Sequence, residues 1–75
     1  MSRFLIILEQ GEHNYSAYVP DLPGCIATGR TLQEVEQNMR EAILLHVQAM
    51  LEDGESIPVL QTTAEYVEIS VPGSA

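Results

Sequence analysis

The chain has no lysine, no tryptophan, one phenylalanine and one cysteine, and no long hydrophobic run. The single cysteine, Cys25, excludes an internal disulfide. The two histidines, His13 and His46, lie too far apart in sequence to give zinc-ligand spacing, so no metal and no cofactor is expected. Positive charge is confined to Arg3, Arg30 and Arg40 against eleven acids, for a net charge of −8. Nucleic-acid backbones are held by Lys and Arg neutralising phosphates, so direct nucleic-acid binding is not expected. The run Phe4–Leu8 ends at Glu9, short of the roughly 20 residues of a spanning helix and of a signal peptide's apolar region. The acidic surface would repel an anionic membrane. A lone thiol suits a reducing compartment, and the cytoplasm is the expected location.

What is present fits one domain over residues 1–75. A domain of this size buries only about 60% of the surface its unfolded chain exposes. Without disulfide or metal, self-association is the remaining reinforcement, and a homo-oligomer, dimer or tetramer, is expected.

Three strands and a helix are legible in order. Phe4–Glu9 is a continuous apolar run, as in a central strand covered on both faces. Tyr15–Val19 follows a turn cluster and is rich in aromatic and β-branched residues. Pro23 and Gly24 fit the two central positions of a type II turn, where the glycine needs positive φ. Cys25–Thr28 is the third strand, closed by Gly29. Thr31-Leu32-Gln33-Glu34 then forms a capping box. Leu32, Val35, Met39, Ala42, Ile43, His46, Val47, Met50 and Leu51 recur at helical spacing as one broad apolar face. Gly54 fits the position after the helix end, and Pro58 lies beyond it. The helix is predicted at about 21 residues, near 32 Å. Ala64–Val71 alternates, with Val67, Ile69 and Val71 on one side, and predicts a half-buried strand near a sheet edge.

The predicted class is α+β: a two-layer βββαβ domain with one long helix on a four-stranded mixed sheet. A right-handed crossover would lay the last strand parallel to the first. The helix outreaches the strands it covers, and Leu44 and Leu45 widen its apolar surface beyond one stripe. Leu44, Leu45, Val47, Met50 and Leu51 are therefore expected at an oligomer interface.

Catalytic chemistry finds little support. Cys25 opens an apolar strand with no basic neighbour in sequence to lower its pKa. The acids fall mainly in turns or on the helix, where a solvated face explains them, and the centre of the first strand carries none. His46 on the apolar side of the helix reads as a core or interface histidine. No phosphate-cradling glycine loop is present. A non-catalytic protein is expected.

Tyr18-Val19-Pro20-Asp21-Leu22-Pro23-Gly24-Cys25, then Thr28-Gly29, Thr31–Val35 and the stop Gly54-Glu55-Ser56-Ile57-Pro58, resemble the HicB antitoxin family over roughly residues 3–71. The resemblance implies a truncated ribonuclease-H-like fold, in architecture only, since fold likeness carries no activity. It also implies an antitoxin that binds and neutralises a small basic RNA-cleaving toxin of the HicA type. A toxin that binds RNA must be positive, which an acidic domain can cover. Two positions depart from the family pattern: Arg30 stands where many members have an acid, and Val35 where many have alanine. Longer members carry a C-terminal DNA-binding domain; the short form is expected here, and operator binding is not expected. A stand-alone adaptor of the same fold, with no toxin partner, is the alternative. The expected partner surface is Asp21, Leu22, Pro23 and Gly24 with the helix acids Glu34 and Glu41, as the exposed, distinctive and negative features.

Overall fold

A computed structural model describes residues 2–58 and 60–73. Its elements are β1 (Ile7–Gln10), β2 (Tyr15–Tyr18), β3 (Ile26–Gly29) and α1 (Leu32–Glu52). The strands form an antiparallel sheet in the order β1-β2-β3, with Ile7 opposite Tyr18 and Ala17 opposite Ala27. The helix packs on β3 and β2. The α+β class stands, but among the described residues the sheet has three antiparallel strands, not four in a mixed sheet.

Two loops set the register. Gly11 N–H donates to the Asn14 carbonyl at 2.7 Å, closing the β1–β2 hairpin. The β2–β3 connection is a pair of consecutive turns: Leu22 N–H reaches the Val19 carbonyl at 3.1 Å, and Cys25 N–H reaches Leu22 at 3.0 Å. Gly24 sits at φ 85°, as the Pro-Gly pair predicts. Pro20 has no N–H to continue the ladder. The ladder of β1 therefore begins at Ile7, and Phe4–Ile6 extends past the end of β2. β1 is a mostly exposed edge strand, shorter than the predicted Phe4–Glu9, and Leu8 is 41% exposed. It is not a central strand covered on both faces.

The helix starts and stops where its end signals stand. Thr31 Oγ1 accepts the Glu34 N–H at 3.0 Å. The Glu34 carboxylate reaches back to the Arg30 N–H at 3.2 Å, one residue further than an ideal capping box. At the other end Glu55 N–H donates to Met50 and Gly54 N–H to Leu51, with Gly54 at φ 77°. That pair of bonds is a Schellman motif.

The core is small: Ala17, Val19, Leu22, Cys25, Val35 and Met39 are buried. Phe4, Ile6, Ala42, Ile43, Val47 and Met50 pack partly against it. Leu32 and Leu51, predicted on the buried face, are more than half exposed because the sheet beneath the helix is too short to reach both ends. The predicted fourth strand is absent from the described residues. Ala64–Val71 has no ladder partner, and Val67 and Ile69 are each 76% exposed. No described helix is long and apolar enough to cross a membrane.

Candidate partner-binding surface

The β2–β3 turn is built from the inside out. Leu22 is driven into the core against Val35 and Met39, only 1% exposed. Burying it leaves Pro23 and Gly24 projecting at the tip, both exposed. Leu22 therefore anchors the turn and offers no side chain to a partner, which corrects its place in the predicted surface. Asp21 beside it is half-buried. Its Oδ1 accepts from Thr62 Oγ1 at 2.8 Å, while Oδ2 is buried without a partner among the described residues. An unpaired buried carboxylate oxygen costs free energy of order 1–3 kcal/mol, or more when charged, until a donor reaches it.

Glu34 and Glu41 are exposed on α1, seven residues apart and so on one side of the helix, about 10 Å from each other along its axis. Glu34 is partly engaged in the cap, whereas Glu41 has no ion pair among the described residues. Arg40 is paired loosely with Glu36 at 4.0 Å, both largely exposed. Of the predicted oligomer residues, Leu44, Leu45 and Leu51 are 62%, 68% and 55% exposed. Val47 and Met50 instead lean on the core of their own chain.

Cys25 is 3% exposed, and burial pushes its thiol pKa up, which disfavours the nucleophilic thiolate. Among the described residues no three His, Cys, Asp or Glu side chains lie together as a metal site would require.

Two positioning residues escaped the sequence reading. Asn38 Nδ2 donates to the Thr28 carbonyl at 2.8 Å, tying α1 to the end of β3. Asparagine inside a helix is a weak signal for such a bond, since it is disfavoured there otherwise. Thr62, bonded to Asp21 across 41 positions of sequence, carries no local signal at all.

With this geometry established, three comparisons bear on it. The model of the HicB-like antitoxin of bacterial toxin–antitoxin systems matches residues 4–71. A 14.9 kDa protein from the rep–hol intergenic region of Haemophilus phage HP1 is 40% identical over 62 residues, covering 83% of this chain and 47% of that protein. The chain thus spans about half the length of that relative. A UPF0150 protein of Archaeoglobus fulgidus is 38% identical over 60 residues, 76% of this chain and 87% of that one. Among solved structures, a chain of a HicA3–HicB3 toxin–antitoxin complex superposes with a TM-score of 0.67 at 25% identity, covering 80% of this chain and 70% of its own.

Proposed function

The chain belongs to the HicB-like antitoxin family, and we propose that it binds and neutralises a small basic RNA-cleaving toxin of the HicA type. The observation that carries this reading is the likeness of its fold to a chain of a toxin–antitoxin complex at a TM-score of 0.67. The net charge of −8 supports it, because a surface evolved to hold RNA is basic and an acidic domain can occlude it. In this reading the partner meets Asp21, Pro23, Gly24, Glu34 and Glu41. Asp21 Oδ2, buried without a hydrogen-bond partner among the described residues, would accept a donor from the toxin. The protein acts in the cytoplasm, where RNA and toxin meet, and acts by occlusion rather than by catalysis.

The test is co-expression with a tagged product of the adjacent gene, followed by an RNA-cleavage assay on the purified partner with and without this chain. A stable complex that suppresses cleavage is expected. A partner that cleaves equally well with this chain in excess would overturn the reading.

A further inference from the structure

The sheet has an outer face that the helix leaves uncovered, and its side chains are not those of a solvated face. Ala17 is buried in the core, and Tyr15 and Ala27 pack partly against it, so these positions point inward. Alternation along each strand then sends Ile7 and Glu9, Ser16 and Tyr18, and Ile26 and Thr28 outward. The register sets three of these six side by side: Ile7 stands opposite Tyr18, and Tyr18 opposite Ile26. Every strand thus contributes one large apolar side chain to a single row across the sheet. Ile7 is half-buried, whereas Tyr18 is 40% and Ile26 69% exposed. The outward face of a sheet packed on one side only is ordinarily polar. Single exposed apolar residues are common, but a contiguous row marks a contact surface.

Position and charge indicate what covers the row. Tyr18 ends β2 and Ile26 opens β3, so the row lies at the base of the β2–β3 turn, whose tip carries the exposed Pro23 and Gly24. Row and tip form one continuous strip. No strand residue is basic, and the acids beside the strip are Glu9 on the outer face and Asp21 in the turn. A second copy laid on this face would set acid against acid, each chain carrying a net charge of −8. A basic partner meets no like charge on the strands and finds carboxylates at the border. An apolar centre inside a polar rim is the usual anatomy of a protein–protein contact.

We propose that Ile7, Tyr18 and Ile26 form the apolar centre of the contact with the basic toxin, which lays an apolar side chain flanked by Lys or Arg on the outer face of the sheet. This inference rests on the antitoxin reading and gives its contact an energetic centre. The row ends on β3, an edge strand that also carries α1, so one partner spans the row, the turn and the helix layer around that edge. Burial of Ile26 holds the complex together, and the surrounding acids bring the partner to it.

The test uses the full chain and the purified product of the adjacent gene. Ile26→Ala is expected to weaken binding by about 30-fold, the size of an interface hot spot. The loss is read in the dissociation rate and persists at high salt, unlike an effect on electrostatic steering. Thr28→Ala, two residues along on the same face, is expected to change binding by less than about threefold. Both variants should keep the helical circular dichroism, since neither side chain belongs to the core. Hydroxyl-radical footprinting of the wild-type chain decides the matter even if Ile26→Ala fails to fold: Tyr18 and Ile26 are expected to be protected in the complex. No complex with the wild-type chain overturns the antitoxin reading and this surface with it. A wild-type complex in which Tyr18 and Ile26 are labelled as in the free chain overturns the surface alone. So does a folded Ile26→Ala variant that binds within about threefold of wild type.

Discussion

Gly29 shows how one residue sets the distance between layers. A Cβ built there would lie 2.5 Å from the Val35 N and 2.8 Å from its Cα. Those atoms are helix backbone and cannot rotate aside, so α1 would have to lift off β3. Gly29→Ala is expected to cost about 1–3 kcal/mol, the range for overpacking a filled interior, and to lower the urea midpoint without abolishing the fold. That is a large share of the roughly 4–11 kcal/mol available to a domain of this size. Cys25 gives a prediction with a sign. Its thiol pKa is raised in the folded state by burial, so the unfolded chain loses its proton first as pH rises. The contribution is whole below the ordinary thiol range and declines as pH climbs through it. Wild type should therefore lose more stability between pH 7 and pH 10 than Cys25→Ala, read from paired denaturant curves. Equal losses would mean the thiol is solvated. Sequence spacing marked Pro23-Gly24 and Gly29 as punctuation, yet it placed Leu22 on the surface. Being adjacent to a turn does not say which way a side chain points, and the two consecutive turns here rotate Leu22 inward.

At the scale of elements, the helix was the most legible part because its limits are local chemistry. Thr31 and Gly54 stand within a turn of the groups they satisfy, so spacing alone identifies them. Thr31→Ala removes the acceptor of the Glu34 N–H and is expected to cost about 1 kcal/mol. Thr31→Ser should restore most of it, and equal melting of Ala and Ser variants would show that the cap is idle. The strands were less legible, for a non-local reason. Whether Phe4–Ile6 joins a ladder depends on where β2 ends, and β2 ends because Pro20 offers no N–H. Ala64–Val71 shows the same limit in stronger form. Its alternation marks a strand-like pattern, but periodicity carries no information about whether any edge receives it. Asn38 and Thr62 act through bonds to residues 10 and 41 positions away, beyond the reach of any local rule.

At the scale of the whole molecule, charge is the property the sequence states most directly, and its consequence is kinetic. Eleven acids against three arginines make a field of one sign over most of the surface. Such a field accelerates encounter with a basic partner and contributes less to holding it, since rim charges are solvated. Exposed charges are screened beyond about 10 Å at 0.1 M salt. If the field steers a toxin, raising NaCl from about 50 to about 500 mM should slow association by roughly tenfold or more, with a much smaller change in dissociation. Glu41→Lys, at an exposed helix position without an ion partner among the described residues, should reproduce part of that loss at low salt. Its dissociation rate and melting temperature should stay near wild type. Stopped-flow binding to the purified partner separates the two rates. An association rate indifferent to salt would reduce the acidic surface to a solubility device. The contact would then be carried by Pro23 at the tip of the turn and the exposed Ile26 that follows it.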